Sequence, residues 1–183
     1  MTTAIDELKY VRDHVRIIPD FPKKGIMFLD ITTAVKDAQA LQYMTDFMYD
    51  KFKNEKVDYI AGIESRGFIF GSALAYKLGC GFITLRKPNK LPAKTIKEDY
   101  TLEYGTSTIE MHEDALKPGD RVIVVDDLLA TGGTAIAACN LIKRVGAEVV
   151  TTAFIIELDP LKGRQYIEQT GNKVISMLNY DLE

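Results

Sequence analysis

The stretch from Arg121 to Thr134 has the sequence RVIVVDDLLATGGT. Its run of β-branched apolar residues is typical of a strand that is buried on both faces of a sheet. We expect this strand to end at two adjacent carboxylates, Asp126 and Asp127, and to lead into a glycine-rich turn. Apolar residues at helical spacing then predict a helix from Ala135 to Val145, and Gly146 suits the position just past its end. The stretch therefore predicts a strand–turn–helix unit of an α/β fold.

The turn of this unit has the composition of a phosphate-binding site. Backbone N–H groups of residues 131–134 would point into it, and the dipole of the following helix would add positive potential. It differs from a Walker P-loop because no lysine follows the glycines, and from a dinucleotide-binding turn because G-x-G-x-x-G is absent. The two carboxylates could accept hydrogen bonds from the hydroxyls of a sugar phosphate, or they could place a magnesium ion through water. An ordinary polar connection between strand and helix is the alternative that involves no ligand.

Residues Val122 to Thr134 resemble the phosphoribosyl-diphosphate (PRPP) binding motif of the type I phosphoribosyltransferases. The resemblance implies an α/β fold in which helices flank a mostly parallel central sheet. It also implies a small N-terminal hood over about residues 1–35 and a projecting β-hairpin lid over about residues 87–105, within a single domain of residues 1–183. In such a domain the ribose would bind at Asp126 and Asp127, and the 5-phosphate would bind at Ala130, Thr131, Gly132, Gly133 and Thr134.

Two further loops follow predicted buried strands at Val57–Ile63 and Gly81–Leu85. Ligands of open parallel sheets bind beyond the carboxyl ends of the strands, which is where these loops lie. The alternatives without a ligand are an arginine paired with a neighbouring glutamate in the first loop, and a solvated basic loop in the second. The resemblance implies that both loops bind pyrophosphate, and that the first contains a cis peptide bond without proline. The predicted pyrophosphate-binding residues are Glu64, Ser65, Arg66, Gly67, Arg86, Lys87 and Lys90.

Two segments resemble the members of this family that act on adenine. Pro19, Pro22 and Gly25 predict a loop that leads into an extended segment, and this region resembles the hood that covers the purine. Leu29 stands where relatives often carry arginine, which is a mild change if the base contacts the main chain and a larger one if it contacts the side chain. Residues 102–105, with the sequence LEYG, match the lid. The predicted adenine-binding residues are Ile26, Met27, Phe28, Leu29 and Leu158, and the predicted lid residues are Tyr100, Glu103 and Tyr104.

The reaction implied by the resemblance is transfer of the 5-phosphoribosyl group from PRPP to N9 of adenine, which yields AMP and diphosphate in purine salvage. The predicted catalytic residues are Glu103, Arg66, Asp126 and Asp127, with Glu103 as a proton carrier at the base. The implied cofactor is Mg²⁺, held mainly through PRPP and water near the two aspartates, and the implied assembly is a homodimer. The alternative functions are phosphoribosyl transfer to another base and PRPP sensing by a regulator that has lost catalysis.

The composition sets broader bounds on the chain. It has 183 residues, of which 46% are hydrophobic, and its net charge of −3 offers no broad basic surface for nucleic acid. Its two cysteines lie far apart in sequence, so we expect free thiols in a reducing compartment. Neither an apolar run long enough to span a membrane nor a signal peptide is visible, and we therefore predict a cytoplasmic protein. His14 and His112 lack the spacing of a metal or catalytic site and are predicted to be structural.

Periodic apolar residues predict two N-terminal helices. The first has its apolar face at Ile5, Leu8, Val11 and Val15 and ends before Pro19. The second has its apolar face at Ala38, Leu41, Met44, Met48 and Phe52.

Overall fold

The computed structural model describes residues 3–101 and 105–182. Its strands are β1 (Arg16–Ile18), β2 (Phe28–Asp30), β3 (Tyr59–Ile63), β4 (Gly81–Leu85), β5 (Thr95–Thr101), β6 (Thr106–His112), β7 (Arg121–Leu129), β8 (Glu148–Leu158) and β9 (Val174–Tyr180). Its helices are α1 (Ala4–His14), α2 (Thr32–Lys36), α3 (Ala38–Phe52), α4 (Gly67–Leu78), α5 (Gly133–Arg144) and α6 (Gly163–Gln169), with a 3₁₀ turn at Asp159–Leu161. The central sheet is parallel and has the order β4-β3-β7-β8-β9. The predicted α/β fold with a parallel central sheet is confirmed.

Strand β7 lies in the middle of the sheet, and its side chains fill both faces. Ile123 and Val125 pack with α1, α3 and α4 on one face, whereas Val122 and Val124 pack with α5 on the other. All four are fully buried. Successive side chains of a strand point to opposite faces, so a strand that helices cover on both faces is apolar at nearly every position. The unbroken apolar run of β7 therefore supports a three-layer arrangement of helix, sheet and helix.

The carboxyl end of β7 differs from the sequence prediction. Asp126 and Asp127 were expected to follow the strand, but the ladder with β8 continues to Leu129, which lies opposite Glu157. The strand is longer because its partner β8 continues alongside it, and this long-range pairing has no local sequence signal. As a result, a hydrogen-bonded ladder holds the two carboxylates, rather than a loop.

Helix α1 begins at a capping box. The backbone N–H of Asp6 donates to the Thr3 hydroxyl at 3.3 Å, and the backbone N–H of Thr3 donates to the Asp6 carboxylate at 3.0 Å. Val11 is fully buried, but Ile5 is 78% exposed, so the predicted place of Ile5 on the apolar face is wrong. The reason is that the later turns of α1, from Leu8 onward, make its contacts with the core.

The hood contains a short antiparallel ribbon that the sequence only partly predicted. Strand β2 forms at the end of the predicted extended segment, and it pairs with β1, which was not predicted because three residues carry no periodic signal. His14 ends α1 and stacks on Tyr10, with ring centroids 4.3 Å apart and Nδ1 2.8 Å from the Tyr10 carbonyl oxygen. His112 Nε2 accepts the Ala93 N–H at 3.4 Å. Both histidines thus have structural partners.

Strands β5 and β6 form the predicted hairpin, but its bounds differ from residues 87–105. The paired strands run from Thr95 opposite His112 to Thr101 opposite Thr106, and residues 87–94 form the connection from β4. The Glu98 carboxylate accepts a hydrogen bond from Asn140 Nδ2 at 3.1 Å and pairs with Arg144. Strand β5 of the hairpin is therefore held against α5.

The described residues include two free thiols, Cys80 and Cys139. Burial raises the pKa of Cys139 to about 12, so this thiol stays protonated at neutral pH and acts as a small apolar group. Within the two described ranges, no helix combines the length and the apolar character needed to cross a membrane.

We expect a matched pair of substitutions to show where the core lies. Ile155→Ala removes a fully buried side chain from β8 and should lower the free energy of unfolding by about 2–5 kcal/mol. Ile5→Ala removes the same atoms from an exposed position and should change the free energy of unfolding by less than about 0.5 kcal/mol. Urea titration of both variants checks this, and equal losses would contradict the placement of α1.

Candidate active site

The carboxyl ends of β3, β4 and β7 meet at one edge of the central sheet, because these strands are parallel neighbours. The loops that follow β3 and β4 therefore lie beside the aspartates of β7. The Glu64 N–H donates to the Leu85 carbonyl at 2.8 Å, and the Arg66 side chain pairs with Asp127. The structure thus brings the residues predicted for ribose and for pyrophosphate to the same edge.

Residues 130–134 form the predicted turn between β7 and α5. Gly132 has a φ of +82°, a left-handed conformation that favours glycine, and α5 begins at Gly133. No described side chain caps the first N–H groups of α5, so these donors point into the turn. A cavity of about 200 Å³ opens here, lined by Asp126, Phe154 and residues 128–135. The turn therefore has the geometry of an anion site.

Gly163 forms one wall of this turn, and sequence analysis did not identify it. A Cβ atom on Gly163 would lie 2.2 Å from the Ala130 carbonyl oxygen, and one on Gly132 would lie 2.9 Å from the Gly163 carbonyl oxygen. Both distances are too short for carbon and oxygen, so the start of α6 touches the turn only because both residues are glycine. A glycine at the first position of a helix, rather than after its end, was the available sequence signal.

Asp126 and Asp127 have different surroundings. Asp127 is 4% exposed and pairs with Nε of Arg66. Asp126 Oδ1 accepts the backbone N–H of Asp127 at 2.9 Å. Burial, together with repulsion from the Asp127 carboxylate, raises the pKa of Asp126 well above its ordinary value. The pair therefore favours a ligand that brings hydrogen-bond donors or positive charge to it.

The loop after β3 carries Arg66 to the acidic pair. A Cβ atom on Gly67 would lie 2.5 Å from the Val125 carbonyl oxygen, so the absence of a side chain lets α4 begin directly against β7. The Glu64–Ser65 peptide bond is cis, as the resemblance implies. Arg66 pairs with Asp127 rather than with its neighbour Glu64, which excludes the simple surface pair considered from the sequence.

The loop after β4 is basic and is held by a carboxylate of the neighbouring loop. Glu64 Oε2 accepts from Arg86 Nε at 3.1 Å and from the Lys87 N–H at 3.0 Å. Although burial opposes the effect, these two donors lower the pKa of Glu64. Arg86 Nη1 also donates to the Lys90 carbonyl at 3.1 Å, and the side chains of Lys87 and Lys90 are exposed. Two cations of this loop thus face solvent at the site edge.

Four of the five residues predicted to bind adenine lie in and before β2. Ile26 is exposed, Met27 is partly buried, and the ring of Phe28 contacts Phe21 edge-on with centroids 5.1 Å apart. Leu29 is 5% exposed and belongs to the main core. Because its side chain points into the core, only the main chain of Leu29 is accessible to a ligand under the hood.

Two observations place the hood and β8 near the acidic edge. Asp30, which ends β2, lies within electrostatic range of Arg66. Leu158 is the last residue of β8, the parallel neighbour of β7, and its side chain is partly buried. The ends of β2 and β8 therefore lie at the edge of the sheet where Asp127 is found.

The predicted lid residues are only partly described. Tyr100 lies in β5 and packs against the core cluster that includes α5. Glu103 and Tyr104 lie outside the described residues, and their roles stay predictions.

The donors at this edge suit a cation that arrives with its own ligands. Across residues 3–101 and 105–182, no group of three or more His, Cys, Asp or Glu side chains could hold a metal ion. Asp126 and Asp127 supply the oxygen atoms that Mg²⁺ prefers, but Arg66 already pairs with Asp127. The residues therefore fit Mg²⁺ that is bound mostly by phosphate and water.

Comparison with known proteins gives one consistent family. Residues 32–178 match the model of the phosphoribosyl transferase domain. The chain is 55% identical over 159 residues to an adenine phosphoribosyltransferase of Brachyspira hyodysenteriae, covering 87% of this chain and 94% of the relative. The similarity therefore spans most of both sequences.

Solved structures agree with this comparison. The crystal structure of adenine phosphoribosyltransferase from Thermoanaerobacter pseudethanolicus is similar with a TM-score of 0.90 at 47% identity, covering 94% of this chain and 99% of that one. The enzyme of Saccharomyces cerevisiae, complexed with an imino-altritol bisphosphate and adenine, is similar with a TM-score of 0.88 at 36% identity, covering 95% and 99%. The fold is thus shared with these enzymes over nearly the full length of each chain.

The raised pKa of Asp126 predicts a specific pH dependence of stability. The native state keeps a proton on Asp126 to higher pH than the unfolded state, so this group lowers stability as pH rises from about 4 through the native pKa. Asp126→Asn cannot ionise and still accepts the Asp127 N–H. Its melting temperature should equal that of the wild type near pH 4 and exceed it increasingly toward pH 8.

Asp30→Asn is the matched control, with the opposite sign. Hydrogen bonds from Thr32, followed by that from Arg16, lower the pKa of Asp30 to about 2. This carboxylate therefore stabilises the fold above about pH 4, and its variant should be the less stable one at neutral pH. If the melting temperature of Asp126→Asn changed with pH in the same way as that of the wild type, the raised pKa of Asp126 would be contradicted.

Proposed function

The chain belongs to the phosphoribosyltransferase family, and we propose that it transfers the 5-phosphoribosyl group of PRPP to N9 of adenine. The products are AMP and diphosphate, so the chain is a pentosyltransferase of purine salvage. The observation that carries this proposal is that Asp126 and the turn at residues 130–134 line the same cavity. A ribose 5-phosphate brings an anion and vicinal hydroxyls on one small scaffold, and this cavity offers N–H donors beside a carboxylate.

In this proposal the 5-phosphate accepts hydrogen bonds from the N–H groups of residues 131–134, where the dipole of α5 favours negative charge. The hydroxyls of Thr131 and Thr134 add donors. The ribose hydroxyls donate to Asp126 and Asp127, and on Asp127 they take the place of the Arg66 guanidinium. Binding of PRPP thus frees Arg66 for the other end of the substrate.

The leaving group of the proposed reaction is diphosphate. When the bond between C1 and the diphosphate oxygen breaks, the electron pair stays with diphosphate and positive charge develops on the ribose. The two aspartates stabilise that positive charge, and Arg66, Arg86, Lys87 and Lys90 stabilise the charge gathering on diphosphate. A site with acidic and basic groups at opposite ends of the breaking bond lowers its barrier.

Adenine attacks C1 through N9, and the new N9–C1 bond replaces the broken one while the N9 proton is lost. The main chain of residues 26–29 and the side chain of Leu158 hold the base, and Glu103 is the proposed carrier of its proton. Holding both substrates in place supplies a large part of the acceleration. The buried side chain of Leu29 supports recognition of the base through main-chain groups.

We include Mg²⁺, a homodimer and a cytoplasmic location in the proposal. Mg²⁺ supplies positive charge to the diphosphate oxygens when it is bound, and the acidic pair supports its presence. Tyr76 of α4 is 89% exposed and shares a helix face with the exposed Ile69, which supports a contact between subunits. Free Cys80 and Cys139 support a reducing compartment.

A panel of bases tests the proposed function. Purified protein, Mg²⁺ and PRPP are mixed separately with adenine, hypoxanthine, guanine, xanthine, orotate or uracil, and nucleotide and diphosphate are followed. We expect AMP from adenine and no product from the other bases. Turnover of another base would overturn the base assignment, and PRPP binding without any turnover would instead indicate a regulator.

The same assay has matched controls in the chain. Asp127→Asn keeps the shape of the side chain but removes its charge, and it should lower the rate of AMP formation by about 10²–10³-fold. Asp50→Asn changes the same charge on the exposed surface of α3 and should leave the rate unchanged.

A further inference from the structure

Glu64 lies at the junction of the loops that follow β3 and β4. We infer that Glu64 is a positioning residue, which holds residues 86–90 in the conformation that binds diphosphate, rather than a group that contacts the substrate. This inference rests on the proposed function, and it gives Glu64 a positioning role in place of the direct pyrophosphate contact predicted from the sequence. Residues 86–90 form the Arg86 loop.

The contacts of Glu64 reach from one loop to the other. Its N–H donates to the Leu85 carbonyl at 2.8 Å, which extends the pairing of β3 with β4 by one step. Its Oε2 atom then accepts from Arg86 Nε at 3.1 Å and from the Lys87 N–H at 3.0 Å. The Arg86 guanidinium also lies 5.9 Å from the ring centroid of Phe68, in the helix that follows Arg66. The two loops are thus one connected unit.

A second carboxylate supports the Arg86 loop from the hairpin. The backbones of Arg86 and Glu110 exchange hydrogen bonds at 2.9 and 2.7 Å, and Glu110 Oε2 accepts the Asn89 N–H at 3.3 Å. Within the loop, Arg86 Nη1 donates to the Lys90 carbonyl at 3.1 Å. Glu64 and Glu110 therefore fix the backbone and Arg86, while the ammonium groups of Lys87 and Lys90 face solvent.

The negative charge of Glu64 makes it an unusual residue beside a site that binds an anion. An ionised Glu64 repels diphosphate, so direct contact between them is unfavourable. The side chain of Glu64 is 15% exposed, and its ion pair with Arg86 together with the Lys87 N–H satisfies the carboxylate. The benefit of Glu64 is then a preformed loop, because a loop that is already ordered loses less entropy when the anion binds.

The test measures the dissociation constant of diphosphate in the presence of Mg²⁺, with KM values for PRPP and adenine and the melting temperature. The variants are Glu64→Ala and Glu64→Gln. The control is Glu113→Gln, which removes the same charge from an exposed residue whose carboxylate lies 3.9 Å from Lys94. Charge removal alone would tighten the binding of diphosphate, whereas loss of positioning weakens it, so the direction of the change separates the two.

We expect Glu64→Ala to weaken diphosphate binding and raise KM for PRPP by about tenfold, with KM for adenine unchanged. Glu64→Gln still accepts a hydrogen bond from the Lys87 N–H, so its affinity for diphosphate should fall only about two- to threefold. The affinity of Glu113→Gln for diphosphate should not change. Unchanged or tighter diphosphate binding in folded Glu64→Gln would overturn the inference, as would a lower melting temperature alone. Failure of the wild type to bind diphosphate or to convert adenine would instead overturn the proposed function, and it would be seen before any variant is made.

Discussion

The ion pair between Arg66 and Asp127 is the interaction on which the arrangement of the site depends. It joins the loop after β3 to the last part of β7, across the edge where the parallel strands end. A carboxylate that is 4% exposed is costly to keep ionised unless a partner compensates its charge. Arg66 provides that partner, and its own position depends on the close approach of α4 to β7 at Gly67.

Glycine also allows backbone segments to touch at the turn of residues 130–134. Gly163 brings the start of α6 against Ala130, and Gly132 permits the left-handed residue from which α5 begins. The positive end of α5 and the negative pair of β7 are therefore fixed within one short segment of chain. An anion and a group with hydroxyl donors can bind side by side there, which is the chemical demand of a ribose phosphate.

The parts of this site that could be predicted from the sequence are those with a local cause. The apolar run at residues 122–125 predicted a strand covered on both faces. The parallel sheet that follows from it placed the loops that carry Arg66 and Arg86 at a common edge. Partners that lie far apart in sequence could not be predicted. The pairing of Glu64 with Arg86, the extension of β7 to Leu129 and the contact of Gly163 with the turn all depend on register and packing between elements.

A crystal structure of the protein with Mg²⁺ and PRPP would show directly where the substrate binds. We expect the 5-phosphate in the turn at residues 130–134, the ribose hydroxyls on Asp126 and Asp127, and Arg66 released from Asp127 toward the diphosphate. A contradicting result would be PRPP bound elsewhere while the pair of Arg66 and Asp127 stays intact. The cleft of about 580 Å³ that Arg121 and Lys173 help to line is one such place.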